Sequence, residues 1–450
     1  MLAMLAFAAA AGAAADELEL TVYNQDLALV KEVRTLELER GIQEHAFTGV
    51  PEMLLPETVH FLSRTDPEGT VVLEQNYRYD LLDRASLLER YLGREVKARV
   101  DGAWETVRLL APGTPSAEQA PLGRVLEVDG TIHIEGFILP ALPEGLLLEP
   151  TLVWLLDARR GGRHETELSY LTGGVSWQAD YVAVVDRENR LDLTGWVTLD
   201  NTSGRDYEDA RLKLVAGDVH RVTPTAPDWR GKNERAMLLA AEAGRGFEQE
   251  QFFEYHLYTL QRPTTVRDRE QKQVELLSEP DINAQRRYRF ASWPSREDRE
   301  PRAVDVVLEF SNRKGEGPGI PLPKGTVRVY QADADGRLQF AGEDEIAHTP
   351  EGERVQLKLG SAFDLRGEHR LLKTDRLGER VVEQTVQVVL RNHKDEAVTI
   401  DVIEEMPAWR EWRVVRCSHD RQVVSARRLV IPVRVGADAE VTVEYVVRLE

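Results

Sequence analysis

At 450 residues the chain is long enough for about three domains, and a hydrophobic share of 42% can fill several cores. Its 57 Lys and Arg against 77 Asp and Glu leave a net charge of −20. A surface of that sign repels phosphate backbones and anionic headgroups, which argues against nucleic acid as a partner.

Residues 1–15, MLAMLAFAAAAGAAA, are apolar and small and end in an A-x-A pattern before the acidic Asp16. That pattern predicts a secretory signal peptide, although no Lys or Arg precedes the apolar run. The run is shorter than the ~20 residues that a membrane helix needs, and no other stretch approaches that length. The expected location is therefore periplasmic or secreted, with no transmembrane segment. Cys417 is the one cysteine, so no internal disulfide can form; its place in WRVVRC predicts a structural thiol on a strand.

From residue 17 the pattern alternates, with Leu18, Leu20 and Val22 on one face, and extended structure resumes from 27 to 38 after Asn24-Gln25-Asp26. Residues 83–92 carry Leu87, Leu88, Tyr91 and Leu92 at helical spacing, with Gly93 as a stop. Short turn-separated strands follow, which suggests a small SH3-like barrel inserted at about 83–140 as a spacer or interaction module. Prolines between 140 and 150 read as a linker.

In the stretch from 168 to 222, Trp177, Ala179, Tyr181 and Ala183 share one face of a strand while Gln178 and Asp180 share the other. Leu191, Leu193, Val197 and Leu199 alternate similarly, and Gly195 allows a bend or a close approach. Asp200-Asn-Thr-Ser-Gly204 supplies turn chemistry, after which Leu212 and Leu214 are expected to return as the partner strand. The runs SYLTGGVSWQADYVAVV and GWVTLDNTSGRDYEDARLKLVAGDVHRV resemble the signature of the bacterial domain of unknown function 4139 family. TVYNQDLALVKEVR, FEYHLYTLQRPTTV and GTVRVYQADADGRLQFAGEDEIAHTP agree with it in the same order. The resemblance implies an exported, mostly β protein, related to longer mucoidy-inhibitor-like proteins, and it brings no catalytic residues with it.

Pro224, Pro227 and Gly231 lead into a segment that reads as a mobile loop with a short helix starting near Asn233. The strand after it has Phe253, Tyr255 and Leu257 on one face and Glu254, His256 and Tyr258 on the other. Beyond it the chain is nearly all strand. Three strands end alike in Asn201, Asn312 and Asn392, a weak internal repeat suited to immunoglobulin-like sandwiches.

The fold class expected is mainly β: tandem immunoglobulin-like β-sandwiches with a small barrel insertion and one or two short helices. The units are a signal peptide (1–15), an N-terminal β domain (16–150) and a central β-sandwich domain (151–370) with a mobile loop at 224–250. An immunoglobulin-like sandwich at 371–450 completes them.

Phosphate loops, dinucleotide fingerprints, HExxH and zinc-spaced cysteines are all missing. Asp333-Ala-Asp335-Gly336 reads as a hairpin turn, because Arg337 stands where a calcium loop needs a ligand. Gly173-Gly174-Val-Ser176 lacks the second glycine of a nucleophile elbow and reads as a tight turn. Asp218 and His220 form a weak metal-ligand pair. The binding candidates are Gln178, Asp180, Glu254, His256 and Tyr258. Together these features predict an exported, non-enzymatic β-sandwich protein of the cell envelope that binds a protein partner or glycan without a cofactor. The alternative is a hydrolase of envelope polysaccharide or peptide with carboxylates in an interdomain cleft; a metal-dependent adhesion module is a third reading.

Overall fold

The structure, a computed structural model, describes residues 15–79, 87, 89–100, 103–109, 126–128, 131–134, 137–139, 149–217, 247–252, 255–333 and 335–450. It is mainly β, as the alternation predicts, with strands gathered into five sheets among the described residues. The first sheet is centred on Glu17–Tyr23, which pairs antiparallel with Leu27–Leu38 and parallel with Tyr207–Ala216. Leu18, Leu20 and Val22 are buried and Glu17 is exposed, as the period of two read in the sequence predicts, while Thr21 of the opposite face is buried as well.

The central sheet runs in the order Glu270–Asn283, Arg190–Asn201, Val175–Val185, Gly325–Ala332, Leu338–Ile346. Its inner face carries Trp177, Ala179 and Tyr181, which join Leu20, Val22 and Tyr170 of the first sheet in one core. A three-stranded sheet adds Phe47 and Trp154 to the same core. Fully burying a side chain such as Leu20 contributes about 1.5–3 kcal/mol.

The expectation that Leu212 and Leu214 pair back onto the strand before them is corrected. Tyr207–Ala216 lies in the first sheet, beside Glu17–Tyr23, while Arg190–Asn201 pairs with Val175–Val185 and Glu270–Asn283. The corner at Asn201 carries the chain from one sheet to the one facing it. Asn201 Nδ2 donates to the Arg205 carbonyl at 2.9 Å, and its Oδ1 accepts from the Ser203 amide at 3.1 Å. Asn392 repeats this geometry: Nδ2 donates to the Glu396 carbonyl at 2.8 Å, and Oδ1 accepts from the Lys394 amide at 3.0 Å. Asn312 is equally buried, but it donates to the carbonyls of Ile320 and Pro350 further along the chain. Two of the three strand-ending asparagines therefore build one corner, used once in each sandwich.

A nine-stranded sheet forms the C-terminal sandwich around a second core of Phe290, Val388, Ile400, Ile431 and Tyr445. The long strand Arg354–Arg376 serves both cores, giving Val355 and Leu357 to the first and Ala362 and Leu365 to the second. Along the strand Arg302–Ser311, Val304 and Val306 pack on the second core and Leu308 and Phe310 on the first, and an irregularity in its pairing with Arg354–Arg376 falls between Val306 and Val307 where the strand passes from one core to the other.

The expected barrel insertion is a five-stranded antiparallel sheet whose end strands, Ala103–Arg108 and Leu126–Val128, do not pair with each other. It is thus open among the described residues. Of the helix expected at 83–92, Leu87, Glu89 and Arg90 are helical and most of the remainder lies outside the described residues. Pro56–Thr58 forms one 3-10 turn. Residues 1–14 of the expected leader and 218–246 of the expected loop lie outside the described residues; Phe247–Phe252, expected to be largely loop, is a strand paired with Tyr255–Leu260. No helix among the described residues is long and apolar enough to cross a membrane.

Candidate functional site

Gln178 and Asp180 stand on the outer face of the central sheet, since Trp177, Ala179 and Tyr181 occupy the inner one. Asp180 is fully engaged. Its Oδ1 accepts from Arg328 Nη1 at 3.0 Å, and its Oδ2 accepts from Thr198 Oγ1 at 2.9 Å and Gln178 Nε2 at 3.4 Å. The hydrogen bond to Asp180 raises the Arg328 guanidinium above its ordinary pKa and keeps it cationic. Asp180 therefore orients its neighbours Gln178 and Thr198.

Both of those neighbours line a cleft of about 460 Å³. One wall is the Asn24-Gln25 turn of the first sheet; Ser176, Trp177 and Gln178 form the floor; Lys324, Thr326, Glu345 and His348 close the far side. Two polar atoms in this lining have no protein partner: Trp177 Nε1, a donor, and Asn24 Oδ1, an acceptor. Leaving such groups buried and unpaired costs about 1–3 kcal/mol each; both atoms are closed off from solvent, so a ligand offering one acceptor and one donor regains those hydrogen bonds only when the lining side chains shift to admit it.

His348 Nδ1 accepts from the Lys324 amide at 3.1 Å, so the ring presents its other nitrogen elsewhere. His256 is close enough to His348 to feel its charge; burial first, and that charge second, lower the His256 pKa below its ordinary 6.5. Tyr258 is buried in the first core, and its hydroxyl donates to the Pro321 carbonyl at 2.9 Å. Tyr181 makes the matching bond to Pro323 at 2.8 Å. These two tyrosines hold the segment that delivers Lys324 and Gly325 to the cleft. Glu254 lies outside the described residues, as do Asp218 and His220.

The structure thus places Gln178 in the cleft, Asp180 beneath it and His256 beside its His348 wall, with Tyr258 in the supporting core. Sequence reasoning missed Asn24, Gln25, Lys324 and His348. The Asn-Gln-Asp interruption of the first strand pair was a visible signal for the first two, whereas Lys324 and His348 reach the cleft only through sheet pairing.

A groove of about 600 Å³ carries Arg190, Arg287, Arg313 and Arg354, but Arg190 pairs with Asp281, and Glu309 accepts from Arg354 at 2.8 Å. At Asp333, both carboxylate oxygens bind within the turn, to the amides of Asp335 and Arg337 and to Gln339, as the hairpin reading expects. Among the described residues, no group of three or more His, Cys, Asp or Glu side chains is placed to hold a metal ion.

No curated protein matches the sequence. A family model described as domain of unknown function (DUF4139) matches residues 166–449, which include the Trp177 floor, the Lys324 wall and the whole C-terminal sandwich but leave the Asn24 turn outside. On that match the chain belongs to the DUF4139 family.

Proposed function

We propose that this is an exported, non-enzymatic protein of the cell envelope that binds a neutral glycan in the cleft between the Asn24 turn and the central sheet. The observation that carries this reading is the unpaired, buried Trp177 Nε1 and Asn24 Oδ1 at a cleft where the amides and hydroxyls of Gln25, Ser176, Gln178, Thr198, Gln271 and Thr326 stand beside the charged Asp200, Lys324 and Glu345. Sugar hydroxyls both donate and accept, so one ring can satisfy the two atoms while Gln178, Gln271 and Thr198 fix its orientation. The net charge of −20 disfavours anionic polysaccharides. The apolar leader ending in an A-x-A pattern supports export.

Hydrolysis is the competing reading, because Asp200 and Glu345 both line the cleft. Strand register weighs against it. Asp200 pairs with Ser176, Glu345 pairs with Thr326, and Thr326 pairs with Asp180. The two acids are three strand spacings and four residues apart, roughly 19 Å between backbones. Paired glycosidase carboxyls sit about 5–9.5 Å apart.

Titration calorimetry against neutral gluco- and N-acetylglucosamine oligosaccharides tests the reading. Binding is expected, weakened about 2- to 10-fold by Gln178→Ala for the loss of one or two neutral hydrogen bonds. No heat from any neutral oligosaccharide, or full affinity in Gln178→Ala, would sink it. Release of reducing ends would shift the assignment to hydrolysis.

A further inference from the structure

The nine-stranded sheet has Trp412–Cys417 at one end and Gln422–Ser425 at the other, so its two edge strands are neighbours in sequence. They do not pair with each other. Trp412–Cys417 pairs with Ala439–Leu449, and Gln422–Ser425 pairs with Arg428–Val435. The sheet rolls until its ends meet and stops short of closure, leaving a seam bridged by Trp412 Nε1 donating to the Ala426 carbonyl at 2.6 Å.

A groove of about 850 Å³ lies along this seam. Trp409, Trp412 and Val423 supply apolar lining, and Arg410, Arg413, Arg421 and Arg427 face a single lining carboxylate, Glu411. The lining thus carries an excess of three positive charges, four Arg less one Glu, in a chain of net charge −20. Arg413 has an exposed pairing with Glu450 at 3.6 Å; Arg421 and Arg427 form no ion pair among the described residues. Trp409 is 83% exposed, Val423 62% and Val424 60%.

We propose that this seam receives an extended acidic peptide of a partner protein by strand addition. Each edge offers unpaired backbone donors and acceptors, which an extended chain satisfies and a lipid surface does not. Charged edges also guard against self-association, and here a second copy would set arginine against arginine. The same arginines attract a strand that carries Asp or Glu, while alternate apolar side chains of that strand cover Val423 and Trp409. This inference stands apart from the glycan reading, which concerns a different sandwich.

The test is titration calorimetry of the full chain with a capped peptide of alternating Glu and Val, about ten residues long to match a strand. Binding is expected. It should weaken at least about tenfold with the Lys–Val analogue, and equally with a Glu–Val peptide methylated on alternate amide nitrogens. Arg421→Glu with Arg427→Glu should abolish it without moving the melting temperature, since both side chains are exposed. No binding of the Glu–Val peptide overturns the proposal, as does undiminished binding of the methylated peptide, which needs no variant to fold. Binding of phosphatidylglycerol vesicles in place of the peptide, or a dimer that the arginine variants dissociate, also overturns it.

Discussion

Arg205 grips Glu32 in a two-point ion pair across 173 residues of sequence, Nη1 to Oε1 at 2.9 Å and Nη2 to Oε2 at 2.8 Å. Arg34 binds the same carboxylate, and the Tyr170 hydroxyl donates to it at 3.1 Å. Burial alone would raise the Glu32 pKa; the two guanidiniums overcome it and hold the carboxyl below its ordinary 4.5. Because Arg205 sits in the corner that Asn201 begins, this pair anchors the crossing between the two sheets.

Replacing Glu32 by Gln leaves two guanidiniums in a buried site without their anion, and it should cost about 3–5 kcal/mol in urea unfolding at pH 7. The sign of the pH dependence follows from the lowered folded pKa. The contribution is present above the ordinary value of 4.5 and is lost as pH falls through the folded pKa, so the gap between wild type and Glu32→Gln should narrow below about pH 4.5. A gap that stayed constant down to pH 3 would show that Glu32 is not the titrating group.

In the C-terminal core, His369 Nε2 lies 3.2 Å from Glu404 and both side chains are fully buried, although neither Nε2 nor either carboxylate oxygen makes a hydrogen bond of good geometry, so their proximity alone couples them. The other ring nitrogen, Nδ1, donates to the Arg296 carbonyl at 2.8 Å. The Tyr445 hydroxyl beside them is pushed well above its ordinary pKa, by burial first and by Glu404 next. His369→Leu or Glu404→Leu alone should destabilise by about 3–5 kcal/mol, whereas the double variant should recover much of that loss, because a buried pair is costly to break and cheap to replace whole. A double-mutant cycle by urea unfolding checks this; simple additivity would refute the coupling.

At the cleft, a Cβ on Gly325 would stand 2.1 Å from the Ala179 carbonyl oxygen. Ala179 and Gly325 face each other in the parallel pairing of the central sheet, where neither backbone can give way alone. Gly325→Ala should therefore lower stability by about 3 kcal/mol or more and weaken glycan binding with it. Thermal unfolding near that of wild type would rule out the close approach.

His256 should titrate below an exposed histidine in NMR-monitored titration, and His348→Asn should raise its pKa by removing the neighbouring charge. The sign for stability follows from the lowered folded value. As pH falls below about 6.5 the unfolded chain takes up the proton first, so the cost of this group to stability grows between 6.5 and its folded pKa and persists in full below it. An unchanged His256 pKa in His348→Asn would break the proposed coupling across the cleft wall.

Alternation made the faces of individual strands legible. Leu18, Leu20 and Val22 point inward, as do Trp177, Ala179 and Tyr181, because successive side chains on a strand take opposite sides whatever it pairs with. The asparagine repeat was equally visible, since Asn201 and Asn392 each bond within four residues of themselves. Gln178 reached the cleft by the same local logic. What the tertiary structure alone decided is which strand pairs with which: that Tyr207–Ala216 crosses to the first sheet, that Arg205 finds Glu32, and that Lys324 and His348 join Trp177 at one cleft. Those outcomes rest on register between segments more than a hundred residues apart. Backbone hydrogen bonding is the same for every sequence, so only the packing of whole faces selects among the possible pairings.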